Sequence, residues 1–504
     1  MLAVLGWQVN EKMGEISGGP TVVELSGYIA IQASGGAIAC LEISRMSAEP
    51  GYTVEPWLCL PAVSTSRSEM TCVSTISTVL LVLAGLVAAM PNAEAWQFKK
   101  PDYYPAGLMN WTAITLISFD GADGNGPYAG LIFDKAGNLY GTTSSGGTTP
   151  AGTVFELSPN GNGTWTETVL YSFRGGRDGN SPMAGLVFDE AGNLYGTTLY
   201  GGSHREQRCR PTGCGTVFEL SPATGGGWTE TVLYRFSGGK DGNGPLAGLV
   251  LDKDGNLYGT TATGGLCKGN CGVVFKLFRS KGVWKESVLH SFDSLKGDGQ
   301  GPDGGVIFDR AGNLYGTTYL GGHGNCFGGG CGIIFELTPT KHGWKEKILY
   351  DLGSYSGDAA LPSAGVTFDK AGNLYGTGAG GYYGYGAVFE MKRSKTGWNE
   401  SVIYSFTGGN DGGGPLAPVA FDGAGNLYGT TVVGGSANDG IVFVLISTNG
   451  QWTEQVLHDF TGDDGNLPQA GVIIDTSNNV YGTTTAGGNG GFGCGCGVAF
   501  EITP

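Results

Sequence analysis

The stretch Asp123-Gly-Asn-Gly-Pro-Tyr-Ala-Gly-Leu-Ile-Phe-Asp-Lys-Ala-Gly-Asn-Leu-Tyr-Gly-Thr142 opens a unit that returns along the chain. Its core, Asn-Leu-Tyr-Gly-Thr, recurs at 138–142, 193–197, 256–260, 313–317, 373–377 and 426–430, and as Asn-Val-Tyr-Gly-Thr at 479–483. The mean period is about 57 residues, and a fixed period of that size means stacked supersecondary units. Each unit holds four strand-like runs. In the first they are run A at Ala129–Asp134, run B at Asn138–Thr143, run C at Thr153–Leu157 and run D at Trp165–Phe173. Run D is rich in β-branched and aromatic residues, and Lys-Ala-Gly between A and B is a short turn. Four antiparallel strands joined by tight turns make one twisted blade.

The ends of the chain decide the topology. Run D begins at Trp111, Trp165, Trp228, Trp284, Trp344, Trp398 and Trp452, so its first copy precedes any run A. The last unit stops at a run C, Ala499-Phe500-Glu501-Ile502. Residues 111–119 can therefore supply the strand that the seventh unit lacks, which closes a ring and leaves few exposed edges. The expectation is an all-β fold, a seven-bladed β-propeller of four-stranded antiparallel blades over 111–504, with run A innermost and run D outermost. A parallel β-helix is the alternative, but its coils lack these hairpin turns.

Composition agrees. Of 504 residues 95 are glycine, against about 7% in ordinary chains. Glycine costs about 1 kcal/mol at each helix position, which excludes a long helical protein. Aromatics at 11% argue against disorder. The net charge is −16, with no Lys/Arg cluster beyond Arg205, Arg208 and Arg210, so nucleic acid is not an expected partner. Residues 79–90 are uncharged and apolar and precede Ala93-Glu94-Ala95, an A-x-A pattern. This reads as a signal peptide over 70–95 that starts at Met70, followed by a short lead-in over 96–110. The run is too short for a membrane span, which takes about 20 apolar residues. Residues 1–69 show neither the repeat nor a helical period and are unassigned; one reading makes them an artefact of the gene model.

The unit D-G-N-x-P-x-A-G-L-x-F-D-x-A-G-N-L-Y-G-T-T, then G-G, G-x-V-F-E-L and W-T-E-x-V-L-Y-S-F, resembles the GloVer tandem repeat of secreted bacterial "choice-of-anchor" proteins over residues 111–504. That resemblance implies a repeat domain and a location outside the cell or at its surface. It implies no settled activity.

Strands that alternate in direction place the B–C and D–A loops on one face and the A–B and C–D turns on the other. Eight cysteines sit in B–C loops as close pairs: Cys209/Cys214, Cys267/Cys271, Cys326/Cys331 and Cys494/Cys496. In an exported chain these read as disulfides; zinc, which needs four ligands, is the alternative. The aspartates that end run A (Asp134 and its equivalents) read as turn-forming acceptors. Those that open the D–A loops, Asp123, Asp178, Asp241, Asp298, Asp411 and Asp464, together with Asp358, read mainly as turn formers. They are also weak calcium candidates, since calcium takes 6–8 oxygen ligands. No cofactor is otherwise expected, and no catalytic residue is assigned.

His290 and His458 replace the tyrosine of run D, His342 lies in a C–D turn, and His204 and His323 lie in B–C loops. Asp303 is an acidic departure where run A meets the channel mouth. Blade five breaks the pattern, with Asp358-Ala-Ala-Leu-Pro362 in its D–A loop and Tyr382, Tyr383 and Tyr385 between glycines in its B–C loop. Blade four adds His323 and Phe327. These residues mark an expected ligand face for a glycan or an extracellular protein. The alternatives are a propeller lyase or hydrolase with its site at the channel mouth, and a purely structural repeat domain.

Overall fold

In the computed structural model each of the seven units folds as four antiparallel strands in the order A, B, C, D. The first blade pairs Ile132–Phe133, Leu139–Thr143, Thr153–Pro159 and Trp165–Ser172 in that order. The seventh pairs Ile473–Ile474, Val480–Thr484 and Val498–Thr503, and its outermost strand is Thr112–Ser118 from the start of the domain. Phe500 lies opposite Thr115 and Ile502 opposite Ala113. The ring is closed by its two ends, and the β-helix is excluded.

The structure describes residues 111–504 except 203–208, 210, 269–270, 325, 327–328, 396 and 491–493, and before them the backbone of three strands. Those three, Ala3–Gln8, Ser26–Gln32 and Ile38–Ile43, form one antiparallel sheet in the unit Met1–Tyr103, which is distinct from Tyr104–Pro504. The signal-peptide and lead-in expectations, His204, Arg205, Arg208, Arg210 and Phe327 lie outside the described residues.

Run A is shorter as a strand than its sequence suggests. Only two residues per blade, Ile132–Phe133 in the first, join their own sheet. The Ala-Gly pair ahead of them belongs instead to the junction with the neighbouring blade. A Cβ on Gly130 would stand 2.7 Å from the carbonyl oxygen of Gly471, and one on Gly365 would stand 2.6 Å from that of Gly305. At these two contacts backbone lies on backbone, whereas a Cβ on Gly185 would have ordinary space and blade six carries Pro418 at the same position.

The same segment is held by the threonine of Asn-Leu-Tyr-Gly-Thr. Thr142 donates its hydroxyl to the carbonyl of Ala184 at 3.0 Å, Thr260 to Gly304 at 3.1 Å, Thr377 to Ala417 at 2.8 Å and Thr430 to Ala470 at 2.9 Å. Thr197 and Thr317 do the same to Ala247 and Ala364. The seventh, Thr483 to Ala129 at 3.0 Å, crosses the closure. All seven bonds are buried and run from one blade to the next.

Hydrophobic packing is also between blades. Phe173, which follows strand D of blade one, meets Phe218 of blade two edge-on at 5.0 Å, and Phe119 meets Phe155 at 5.0 Å across the closure. Tyr140 packs edge-on against Phe188 and Trp228 of the next blade, as Tyr481 does against Phe133 and Trp165. The core is thus seven clusters, one in each junction, rather than one central mass. In every blade the C–D pairing skips one residue of strand D, such as Leu233 between Val232 and Tyr234. Such a bulge increases the local twist, which turns the outer strand toward the next blade.

Thr430→Val should lower the free energy of unfolding by about 1–3 kcal/mol, because the buried carbonyl of Ala470 loses its donor. Thr430→Ser should recover much of that loss. Urea midpoints of the two variants measure it.

Candidate functional site

The aspartate that ends run A builds the A–B turn from its own side chain. Asp134 Oδ1 accepts from the backbone N–H of Ala136 at 2.8 Å and of Asn138 at 2.9 Å, and Oδ2 accepts from the Asn138 amide at 2.8 Å and the Tyr140 hydroxyl at 3.3 Å. Burial opposes its ionisation, but bonds from the Asn138 backbone and side chain outweigh it and hold the carboxyl below its ordinary range. The turn accounts for these aspartates.

The opposite face carries the D–A and B–C loops, and each blade bridges them. Asn125 pairs with Ser145, Asn180 with Tyr200, Gly413 with Val433 and Asn466 with Ala486. In six blades the glycine after the D–A aspartate is forced by this approach: Gly124, at φ +159°, would place a Cβ 2.4 Å from Thr143. Blade five reverses the sizes. Ala359 and Ala360 pair with Gly380 and Ala379, and Gly378 stands where the other blades have threonine. Ala359 is fully buried. Its departure from the repeat is therefore a compensated packing change.

The B–C tyrosines are a different matter. Tyr382, Tyr383 and Tyr385 are 78%, 56% and 52% exposed. Tyr382 and Tyr383 meet edge-on at 5.1 Å. The Tyr382 backbone N–H donates to Ser405 at 3.1 Å, and its ring edges Gly357 of the preceding D–A loop. Tyr385 lies across Gly408, where any Cβ would collide with its ring, and its carbonyl accepts from Gly414 at 2.7 Å. The three rings thus sit between the loops on either side of blade five. Tyr355, in the preceding loop, is half exposed as well. His323 lies on the same face, with Nδ1 3.3 Å from Asp351 Oδ2 at the end of strand D of blade four.

The cysteine pairs Cys209–Cys214, Cys267–Cys271, Cys326–Cys331 and Cys494–Cys496 are disulfides with Cα separations of 4.9, 6.0, 5.0 and 5.2 Å. They close B–C loops on the tyrosine-bearing face.

The D–A aspartates are acceptors for both backbone and strand D. Asp178 Oδ2 takes the Tyr171 hydroxyl at 3.1 Å and the Arg174 N–H at 2.9 Å, and Asp411 Oδ2 takes Tyr404 at 3.1 Å and Thr407 N–H at 2.9 Å. Asp241 repeats this with Tyr234 and Ser237, and Asp358 with Tyr350 and Ser354. Imidazoles replace the phenols in two blades, His290 to Asp298 at 3.0 Å and His458 to Asp464 at 2.9 Å. Asp123 faces Asp120 and bonds its backbone N–H at 2.9 Å. This leaves each carboxylate partly occupied by the protein itself.

Sequence reasoning missed the partner of these aspartates. Strand D carries a glutamate two residues after its tryptophan: Glu167, Glu230, Glu286, Glu346, Glu400 and Glu454; the closing strand has Ala113 there. In all six, Oε1 is buried and accepts no hydrogen bond. Burial, followed by the field of the neighbouring linker aspartate, raises each carboxyl to about 7. The recurring W-x-E was the available signal. Its meaning depends on the loop that folds beside it. At one junction His290, Asp298 and Glu346 bring their donor atoms within 4.8 Å of one another. Because tyrosine makes the same bond to aspartate elsewhere, His290 reads as the hydrogen-bond donor of its junction.

Asp303 is half buried beside Gly301 near the axis, and burial alone raises its carboxyl to about 6. His342 lines an open depression of about 590 Å³ on the other face with Lys276, Phe278 and Trp344. Each described histidine that bonds an acid bonds a different one, His290, His323 and His458 to Asp298, Asp351 and Asp464.

Fold and loops define a seven-bladed β-propeller repeat protein. The chain belongs to the Gloeobacter/Verrucomicrobia repeat family, whose model matches residues 109–327, 166–379 and 370–504. No curated protein matches it. Solved structures similar to it include a Thermus thermophilus protein described as an oxidoreductase (glucose dehydrogenase), at 15% identity and a TM-score of 0.33, covering 78% of this chain and 99% of that one. The phage phi92 endosialidase is also similar, at 12% identity and a TM-score of 0.38, covering 78% of this chain and 68% of that one.

Replacing Cys326 and Cys331 together by serine should cost about 2 kcal/mol of stability, the chain-entropy value for so short a loop. A denaturation curve unchanged from that of the native chain would show that the pair contributes nothing.

Proposed function

We propose that this protein is an exported propeller that binds a ligand through the face bearing its B–C and D–A loops, with the blade-five tyrosines as the centre. The observation that carries the reading is the row Tyr382, Tyr383 and Tyr385, exposed between glycines in a loop where no other blade gathers three aromatic rings. Tyrosine offers a flat apolar ring with a polar edge, which suits stacking on a sugar ring or packing on a protein surface. Leaving several such rings in water is unfavourable, so an exposed group of them marks an interaction surface. A glycan is the preferred ligand, because phenol rings and nearby loop carbonyls supply both stacking and hydrogen bonds. An extracellular protein is the second candidate.

Export is supported by four disulfides in loops and by the apolar run before Ala93-Glu94-Ala95. Among the described residues no helix is long and apolar enough to cross a membrane. The calcium reading of the D–A aspartates stays open to the same experiment.

The full chain, screened against soluble glycans and cell-wall polymers with and without calcium, should give a saturable hit. The triple change Tyr382→Ser, Tyr383→Ser and Tyr385→Ser should abolish it and leave the melting temperature unaltered. Binding that survives the triple change would remove the tyrosines from the site.

A further inference from the structure

We propose that at the blade junctions the strand-D glutamate and the linker aspartate share one proton, so that a ring of carboxyl–carboxylate pairs fastens neighbouring blades below neutral pH and loosens them above it. The proposal is independent of any ligand at the tyrosines.

The junction between blades four and five shows the arrangement in full. Asp358 belongs to the linker and is only 4% exposed. Its Oδ2 is satisfied by Tyr350 of blade four at 3.0 Å and by the Ser354 N–H at 2.8 Å. Glu400 belongs to blade five, and its Oε2 takes the Tyr355 hydroxyl at 3.0 Å. The remaining oxygens, Asp358 Oδ1 and Glu400 Oε1, are both buried and both lack a donor. Two buried acceptors with no donor are unfavourable if both acids are ionised. A proton on the glutamate supplies the missing donor, and like charges side by side favour keeping it there.

The orphaned glutamate oxygen repeats, while Asp241, Asp411 and Asp123 already accept a bond at Oδ1 from their own loops and offer the glutamate proton a remaining lone pair. Glu454 faces Asp411, Glu286 faces Asp241, Glu167 faces Asp123 and Asp120, and Glu230 faces Asp178 with Arg174 and Arg235 in opposition. Glu400 faces Asp358 and the phenols of Tyr355 and Tyr350. In each case glutamate and aspartate come from opposite sides of a junction. A buried acceptor left without a donor once could be an accident of one side chain. The same Oε1 left so in every blade that has the glutamate is a property of the repeat. Glu346 has His290 beside its aspartate, so that junction is left out of the test. The seventh junction, where Asp464 meets Ala113, shows that the fold tolerates loss of the glutamate.

The direction of the pH effect follows from linkage. Burial and the facing aspartate raise these carboxyls from 4.5 to about 7 in the folded state. The folded chain therefore binds protons that the unfolded chain has released. The stabilisation is complete below about pH 4.5 and is lost as pH rises through about 7.

The test is thermal melting of the full chain in EDTA from about pH 5.5 to about pH 8.5, read beside the infrared absorption of protonated carboxyl groups. The native chain should lose about 5 °C or more over that range. A variant with Glu167, Glu230, Glu286, Glu400 and Glu454 changed to glutamine should lose most of that pH dependence, Asp303 keeping its own share, because glutamine donates N–H to aspartate at every pH. It should also lack most of the protonated-carboxyl absorption that the native chain shows near pH 6. If the fivefold variant fails to fold, Glu400→Gln alone should remove a proportionate part of that absorption. A native melting temperature that is flat or rising over the range overturns the proposal. So does absence of the infrared band near pH 6. Stabilisation near pH 8 by millimolar calcium or zinc, lost in the glutamine variant, would also overturn it, since the seams would then hold a cation in place of the proton.

Discussion

The bond on which this architecture depends is the buried threonine hydroxyl of each Asn-Leu-Tyr-Gly-Thr, given to a run A carbonyl of the following blade. A blade has a polar backbone at its inner end, and run A leaves part of that backbone outside its own sheet. Without a donor from elsewhere, each Ala or Gly carbonyl there would be buried and unsatisfied. The neighbouring threonine supplies the donor, and at the tightest junctions, such as Gly130 against Gly471, a glycine also lets the two backbones approach closely. Valine in place of threonine would leave the carbonyl bare. Because the bond always points to the next blade, the seventh must find the first. Thr483 and Ala129 are the two residues that make the ring finite.

The outer edge of each junction is held differently. Phenylalanine follows strand D in six blades, and Leu352 in the fourth, and packs toward the next blade, while the linker aspartate ties strand D of one blade to the loop that enters the next. Glutamate in the next strand D then meets that aspartate. An inner ring of neutral hydrogen bonds and an outer ring of acid pairs respond to pH to different degrees, the first hardly at all and the second strongly. The outer ring also touches the proposed ligand face. Tyr355, which donates to Glu400, stands in the loop that Tyr382 edges through Gly357.

The candidate face was partly legible in the sequence. Three tyrosines between glycines, in a repeat whose other blades lack them, are conspicuous in one dimension, and they are exposed in three. The other blade-five anomaly, Asp358-Ala-Ala, looked equally distinctive and proved to be packing, since Gly378 had given up the volume that Ala359 took. Those two positions are separated along the chain and meet only through the pairing of the D–A loop with the end of strand B. The glutamate of W-x-E was invisible as a participant for the same reason. Its partner aspartate lies in the preceding linker, and nothing in the spacing says that the two would be buried together.

Blade number, strand order and closure were determined by the sequence itself, because a run D without a run A at one end and a run C without a run D at the other pair to complete the seventh blade and leave few exposed edges. Hairpin turns, disulfide loops and the two faces follow from local chemistry and alternation. The tertiary structure alone decided where run A stops being a strand, that strand D bulges at one residue in every blade, and that the core lies in seven junctions. These features arise from contacts between consecutive blades. Periodicity reports what each unit is made of, and the fit of one twisted sheet against the next depends on volumes and donors that come together only when the ring closes.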